Sequence, residues 1–187
     1  MPNTFPKHNL ETAPEKSKPL LRQLLEQSGP NGFYSVTAES PETLTAYAML
    51  HKAFMASSFT NEEKTVIWQT INVENQCHFC VPAHTYMAKA MKIDKAVSDA
   101  LRNETALPSA RLEALRDFTL LMLRNHGNAS DAEISNFLSA GYTHQNMLEV
   151  VLGLAQKTIS NYINHLARTP VDKQYEKYAW SKWNKIK

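Results

Sequence analysis

The chain has 187 residues, 43% of them hydrophobic, and its 20 basic and 18 acidic side chains leave a net charge of +2. This length predicts one domain with a sizeable core. The basic and acidic residues are spread along the chain without a basic cluster, which argues against a nucleic acid or a membrane as a partner. The first residues lack the apolar segment of a signal peptide, and no apolar run is long enough to span a bilayer. We therefore expect a cytoplasmic protein.

Helical periodicity recurs along the chain and predicts an all-α fold, a bundle of about eight helices. Residues 1–19 contain four prolines and are expected to form an extended N-terminal arm. Residues 20–172 would form the helical domain, and residues 173–187 a C-terminal tail rich in aromatic side chains. The helices are predicted at residues 20–27, 41–56, 60–75, 77–91, 94–102, 110–125, 130–140 and 145–168.

Local signals place the starts of several of these helices. Ser40 precedes Pro41, an arrangement that suits an N-cap followed by the first helical residue. Thr60 and Glu63 have the spacing of a capping box, and Thr143 is expected to cap the last long helix. By contrast, the stretch S-G-P-N-G-F-Y at residues 28–34 predicts a turn.

Both cysteines lie in residues 72–86, N-V-E-N-Q-C-H-F-C-V-P-A-H-T-Y. Cys77 and Cys80 form a C-x-x-C pair, which can close a small disulfide and reopen it by thiol exchange. In a cytosolic chain such a pair indicates redox chemistry or metal binding more often than a structural disulfide. Because Pro82 suits the first turn of a helix, we expect a helix to begin near the pair. The positive end of its dipole would then favour the thiolate form of the cysteines.

His84 and Glu74 are the candidates for activating a thiol. His84 follows Cys80 by four residues, so the two share a helix face, and an imidazole can favour a thiolate. Glu74 is the nearest acid and would share that face if one helix ran through the motif. Each also has a plain structural interpretation: His84 as a buried histidine bonded to a carbonyl, and Glu74 as a helix cap or surface residue.

A metal site is the alternative for the two cysteines. The motif supplies three ligands, or four if His78 joins, and a structural zinc site wants four. We assign no metal and no cofactor, and we treat His78 as a solvated neighbour of the pair.

With this motif and helix order, the chain resembles the carboxymuconolactone decarboxylase–alkyl hydroperoxidase D superfamily, in its peroxidase-related branch. The resemblance covers about residues 30–172. It rests on E-N-Q-C-H-F-C-V-P-A-H-T, on S-F-T-N-E-E-K-T-V-I-W and S-P-E-T-L-T-A-Y before it, and on L-E-V-V-L-G-L-A-Q-K-T-I-S-N-Y-I-N-H-L-A-R-T-P-V-D near the end. It implies an AhpD-like bundle that assembles into homotrimers or hexamers, with the site near a subunit interface.

The resemblance also implies thiol peroxidase chemistry without a cofactor. Cys80 would reduce a small-molecule hydroperoxide and Cys77 would be the resolving thiol, while an external dithiol would restore both. His84 would pass the activating proton, and a carboxylate would complete the relay. The decarboxylase branch lacks this thiol pair, so lactone decarboxylation is not expected.

The sequence departs from the alkyl hydroperoxidase D pattern around the pair. The position of the family's relay glutamate is Thr65 here, and Phe79 stands where a histidine is frequent, with His78 one place earlier. Glu74 is the natural substitute carboxylate, as in relatives of the E-N-x-C type.

Two functions are thus compatible with the sequence. The first is a thiol-dependent alkyl hydroperoxide reductase, and the alternative is a non-enzymatic oligomeric module whose thiols sense redox state or bind a metal. Three polar residues lie on the last long helix, which could pack near the site, but capping and hydrogen bonds between helices are the favoured roles for them: Asn161, Asn164 and His165. The aromatic residues of the tail either dock on their own domain or form a subunit contact: Tyr175, Tyr178, Trp180 and Trp183.

Overall fold

The computed structural model describes residues 5–182, which form nine α-helices and one 3₁₀ helix and contain no strand. The all-α prediction is confirmed, and all eight predicted helices are present. The α-helices are α1 (Lys18–Ser28), α2 (Gly32–Thr37), α3 (Pro41–Met55), α4 (Asn61–Glu74), α5 (Cys80–Ala90), α6 (Lys95–Asn103), α7 (Ala110–Arg124), α8 (Asp131–Ser139) and α9 (His144–Ala167), and the 3₁₀ helix is Lys173–Tyr178.

The predicted start signals are present as hydrogen bonds. Thr60 forms a complete capping box with Glu63, in which the hydroxyl accepts from the Glu63 N–H and the carboxylate accepts from the Thr60 N–H. Ser40 caps α3, whose first residue is Pro41. Thr143 caps α9, as expected.

The turn predicted for residues 28–34 is wrong after Asn31, where α2 begins. The Asn31 side chain accepts from the N–H groups of Phe33 and Tyr34, which satisfies two free donors of a helix start. The N–H of Gly32 donates to the distant Asp172 carboxylate at 3.0 Å. This second partner comes from the far end of the chain, so the short sequence window could not predict it.

α4 is the central helix of the domain. Its residues from Glu63 to Val73 are buried without interruption, and it contacts α5, α6, α7 and α9. The apolar core on its α7 side includes Ile67, Leu115 and Phe118. A second, smaller cluster on the other side of the domain surrounds the two cysteines.

A Schellman turn joins α4 to the thiol motif. Gln76 has a φ of 53°, and its N–H donates to the Val73 carbonyl while that of Cys77 donates to the Asn72 carbonyl. The chain therefore reverses directly before Cys77, and α5 begins at Cys80. The predicted helix break between Glu74 and Cys80 is present.

α9 crosses the core very closely at Gly153. A Cβ atom there would lie 2.8 Å from the Phe54 ring and 3.0 Å from Ile67 Cγ2, so only glycine fits without a shift. This close approach places the second half of α9 against α5 and the cysteines.

The chain segments before α1 and after α9 pack on the helical domain. Ala13 is buried, and His8 contacts Glu39 at 2.6 Å. In the tail, Tyr175 is buried against Phe79 and Tyr86. Tyr178 and Trp180 also dock on the domain, whereas Trp183 lies outside the described residues. Within residues 5–182, no helix has the length and apolar character needed to cross a membrane.

Candidate active site

Only one of the two cysteines lines a cavity. Cys77 is fully buried at the end of the Schellman turn, whereas Cys80 lines a cavity from the first residue of α5. Both are free thiols, and the N–H of Cys80 donates to the Cys77 sulfur at 3.2 Å. Only Cys80 is therefore placed to meet a molecule in the cavity.

The cavity beside Cys80 has a volume of about 400 Å³ and a largely aromatic wall. The helices α1, α2, α3, α5 and α9 and the 3₁₀ helix all contribute to it. Its aromatic side chains are Phe33, Tyr34, Tyr47, Phe79, Tyr86 and Tyr175.

The opposite wall is polar and comes from α9. Lys157, Ser160 and Asn164 follow one another at helical spacing and are all buried. The Asn164 amide donates to the Cys80 sulfur at 3.3 Å, while its Oδ1 atom is buried and has no hydrogen-bond partner among residues 5–182. An amide donor of this kind stabilises a thiolate more than a thiol.

The proton affinities of the two thiols are shifted in opposite directions. Burial raises the pKa of Cys80, but the Cys77 thiol and the Lys157 ammonium lower it. With the help of the Asn164 amide, these effects bring the Cys80 pKa to about 6. Burial raises the pKa of Cys77 far above its ordinary value, and the neighbouring Cys80 raises it further. Of the two thiols, Cys80 is therefore the one whose surroundings favour the thiolate.

His84 lies on the predicted face, but its partner is a lysine. Its Nε2 atom is 2.9 Å from the Lys157 Nζ atom, and its ring packs against Trp68 with 5.0 Å between centroids. Burial, and then the charge of Lys157, lower the pKa of His84 well below its ordinary value. The ring is neutral at pH 7, so Nε2 accepts a hydrogen bond from Lys157.

Gln156 holds the wall behind this pair. Its Oε1 accepts from the Trp68 indole N–H at 2.9 Å, and its Nε2 is 2.9 Å from His51 Nδ1. The same amide donates to the Tyr47 hydroxyl. Burial lowers the pKa of His51, and Lys157 lowers it further.

An amide network fixes the thiol motif against α9. The Asn161 amide donates to Asn72 Oδ1 at 2.9 Å, and the Asn75 amide donates to Asn161 Oδ1 at 3.0 Å. Gln69 in turn donates to the Val81 carbonyl. The turn that carries both cysteines is therefore anchored on both sides.

Glu74 lies elsewhere. Its carboxylate accepts from the Arg124 guanidinium at 2.7 and 2.9 Å and lines a separate small pocket. The hydrogen bonds to Arg124 lower the Glu74 pKa, against a smaller effect of burial. The structure brings Cys77, Cys80 and His84 together but directs Glu74 toward α7, because the Schellman turn ends α4 before the pair.

Thr65 and His78 have hydrogen-bond partners other than the Cys80 thiol. The Thr65 hydroxyl donates to the Asn61 carbonyl within α4. A ring nitrogen of His78 lies 2.8 Å from the Thr169 carbonyl oxygen. Among residues 5–182, no cluster of three or more His, Cys, Asp or Glu side chains could hold a metal ion.

Sequence reasoning missed Lys157 and favoured a structural role for Asn164. One signal could have found both: polar residues recur on the face of α9 that also carries the buried Val150 and Gly153. A run of polar side chains on a buried helix face indicates a site more often than a core.

Sequence comparisons with known protein families and with curated proteins find no match for this chain. Solved structures do match. The AhpD core of an uncharacterized peroxidase-related protein from Ralstonia eutropha JMP134 has a TM-score of 0.81 and 19% identity, over 94% of this chain and 95% of that one. An uncharacterized peroxidase-related protein from Silicibacter sp. TM1040 gives a TM-score of 0.76 and 18% identity, again over 94% and 95%.

A third match is the debrominase Bmp8, solved as a cysteine-to-alanine variant in complex with 2,3,4-tribromopyrrole. Its TM-score is 0.74 at 14% identity, over 98% of this chain and 97% of that one. This chain has the AhpD-like fold of the peroxidase-related proteins, which confirms the fold expected from the resemblance.

Proposed function

We propose that this protein is a thiol-dependent hydroperoxide reductase with Cys80 as the nucleophile and Cys77 as the resolving thiol. The observation that carries the proposal is the position of Cys80: a thiolate with a pKa of about 6 that lines a cavity, next to a buried second thiol. A low thiol pKa with access to substrate is what peroxide reduction requires.

The reaction would run in two steps. The Cys80 thiolate attacks the terminal oxygen of the hydroperoxide, the O–O bond breaks, and the alkoxide leaves with the electron pair and takes up a proton. Cys80 is then a sulfenic acid. Cys77 attacks its sulfur, which forms the disulfide and releases water, and an external dithiol supplies two electrons and two protons to restore both thiols.

The cavity supports an organic hydroperoxide as substrate. Its volume of about 400 Å³ lies within the range of about 300–1,000 Å³ that small-molecule sites occupy. Its aromatic wall suits an apolar substituent. The unpartnered Asn164 Oδ1 atom lies beside the thiolate and would accept a hydrogen bond from the hydroperoxide O–H.

A second candidate is reductive dehalogenation of a small aromatic compound. The structural match to Bmp8, named as a debrominase and solved with a brominated pyrrole, motivates it. The specific observation in its favour is again the aromatic wall, since Phe33, Tyr47 and Phe79 could enclose a flat ring next to Cys80.

A turnover assay separates these functions. Purified protein with dithiothreitol as electron donor is given cumene hydroperoxide, hydrogen peroxide or 2,3,4-tribromopyrrole, and peroxide loss or bromide release is measured. We expect turnover with cumene hydroperoxide to exceed that with hydrogen peroxide, and Cys80→Ser to abolish it. Turnover of the bromopyrrole alone would assign the second function, and no turnover of any substrate would favour the non-enzymatic redox or metal-binding module.

We further propose that the protein is a homo-oligomer, a trimer or a hexamer. Large apolar side chains are exposed along α9 and on the adjacent α3: Leu148, Val151, Tyr162, Leu166 and Met49. Contiguous exposed apolar side chains are typical of a contact surface. Light scattering after size-exclusion chromatography should give the mass of a trimer or hexamer, and Leu148→Glu should lower it, whereas a monomeric wild type would contradict the proposal.

A further inference from the structure

Lys157 is a buried lysine without a carboxylate partner. Its side chain is 1% exposed, and none of the ion pairs found among residues 5–182 includes it. It is also the only lysine or arginine of the described chain that lines the cavity at Cys80. A buried ammonium without a nearby anion is strongly disfavoured, so its retention needs a reason.

The titratable groups that face Lys157 leave one candidate for that anion. They come from α3, from α5 and from the turn before α5: Tyr47, His51, His84, Cys77 and Cys80. The histidines cannot be anions, and burial raises the pKa of Tyr47 well above its ordinary value. Burial and the neighbouring Cys80 raise the pKa of Cys77. Cys80 is the remaining group: it lines the same cavity as Lys157, and its charge raises the Lys157 pKa against the lowering effect of burial.

We propose that Lys157 is the charge partner of the Cys80 thiolate and the proton donor to the leaving alkoxide. His84 then acts as a positioning residue, because its Nε2 atom accepts one N–H of the ammonium at 2.9 Å and leaves the other two for the thiolate and the substrate. The proton-donor half of this assignment rests on the proposed hydroperoxide reduction. The charge-partner half does not.

The step balances without a further reactant. The Cys80 thiolate forms an S–O bond to the terminal hydroperoxide oxygen as the O–O bond breaks, and the leaving alkoxide takes a proton from the Lys157 ammonium. The products are an alcohol, a Cys80 sulfenic acid and a neutral amine. That amine can then accept the Cys77 proton, and it returns a proton to the hydroxide that leaves when the disulfide forms.

The charge-partner half is tested by alkylation, which needs no peroxide. The rate at which iodoacetamide labels Cys80, quantified by mass spectrometry, is measured against pH for wild type and variants. We expect a wild-type midpoint of about 6 and a rise of at least about one pH unit in Lys157→Met, which lowers labelling at pH 6 at least about fivefold. Lys157→Arg, which keeps the charge, should retain most of the low midpoint.

Lys64→Met is the matched control. Lys64 is also buried, but its Nζ atom donates to the Met55 carbonyl at 2.8 Å and does not line the cavity. Its loss should leave the midpoint unchanged. Lys157→Met should melt at or above the wild-type temperature, because an apolar side chain replaces a buried charge. If Lys157→Met does not fold, Lys157→Gln takes its place in the same titration.

The proton-donor half is tested by comparing two electrophiles at pH 8. Reduction of cumene hydroperoxide releases an alkoxide that needs a proton, whereas alkylation by iodoacetamide releases iodide, which does not. The ratio of the two rates cancels the thiolate fraction. We expect Lys157→Met to lower this ratio at least about tenfold, since general acid catalysis typically contributes about 10²–10⁴-fold. Lys64→Met should keep the wild-type ratio.

Two results would overturn the proposal. An unchanged midpoint in Lys157→Met together with a large upward shift in His84→Gln would return thiol activation to the histidine. An unchanged rate ratio would remove the proton-donor half. A protein that reduces no peroxide but shows the predicted alkylation shift would refute the proposed function and leave the charge pair standing.

Discussion

The two halves of α9 pack in different ways on the same domain. In the first half, Val150 and Gly153 meet the apolar core, and Gly153 lies so close to Phe54 that no side chain fits. In the second half, the buried face is polar from Gln156 to Asn164 and contacts the thiol motif. Both faces are equally removed from water.

This difference separates the source of stability from the site of chemistry. Apolar burial in the first half lowers the free energy of the folded state directly. The second half buries a lysine and several amides, which cost desolvation and return at best a modest gain through hydrogen bonds. The costly polar surface around the Cys80 thiol agrees with the active site proposed there.

The largest expected effect on stability comes from a substitution in the apolar core that the first half of α9 contacts. Leu115 is fully buried in the same core as Val150. We expect Leu115→Ala to lower the free energy of unfolding by about 2–5 kcal/mol, because it removes buried methyl groups and leaves a cavity. Urea unfolding measures this. The pH midpoint of Cys80 alkylation should stay at the wild-type value, and a shifted midpoint would mean that the two regions are not separate.

Gly153→Ala tests the junction between the halves. The new Cβ would lie 2.8 Å from the Phe54 ring, so α9 or Phe54 must shift. We expect a loss of about 1–3 kcal/mol in unfolding free energy, as for other overpacked cores. Cys80 labelling at pH 6 should also slow, since Lys157 lies one turn further along. Gly127→Ala should also cost stability, because Gly127 has a φ of 85°, but with no neighbour within 4 Å and a position outside the cavity it should leave Cys80 labelling unchanged.

Lowering the pH should destabilise the folded protein through the buried His84, which packs against the polar half of α9. The pKa of His84 in the folded protein lies well below its ordinary value, so between the two values the unfolded state binds more protons. Stability from the neutral ring is therefore fully present above about pH 6.5 and is lost as pH falls toward the folded-state pKa, by up to about 1.4 kcal/mol per pH unit. Urea unfolding at pH 7 and pH 5 measures the loss. His84→Gln should reduce this dependence, whereas the exposed His144→Gln should not.

The smallest effect is expected at Glu74. Its carboxylate is held by Arg124, and such a partly exposed ion pair contributes about 0–1 kcal/mol. We expect Glu74→Gln to keep the alkylation midpoint and the peroxidase rate near wild type. The relay role predicted for Glu74 from the sequence requires the opposite, a rate loss of at least about tenfold at pH 7 that high pH partly restores. The peroxidase rate of Glu74→Gln, measured against pH, decides whether Glu74 is a relay acid or only an ion-pair partner of Arg124.

Much of this fold was predictable because its signals are local. Capping residues such as Thr60 and Thr143 and the apolar periodicity of the helices lie within a few positions of what they determine. The same holds for the thiol pair and for His84, which all lie on one short motif. The exception in the fold, α2, has a local cap at Asn31, but its Gly32 N–H also donates to Asp172, 140 residues away.

The rest of the site depends on packing between distant segments. Lys157 meets His84 across 73 residues, and Asn164 meets Cys80 across 84. The sequence cannot say which face of α9 turns toward the motif until the crossing at Gly153 is known. Glu74 shows the opposite case. It is close to the cysteines in sequence, but the Schellman turn directs its side chain to another surface.

Limiting alkylation shows directly which of the two cysteines is the more reactive thiol. The reduced protein is treated at pH 7 with less than one equivalent of iodoacetamide, and peptide mass spectrometry locates the label. We expect Cys80 to carry the label, because this thiol lines the cavity and has the lower pKa, whereas Cys77 is buried and its pKa is raised. Preferential labelling of Cys77 would contradict the assignment of nucleophile and resolving thiol.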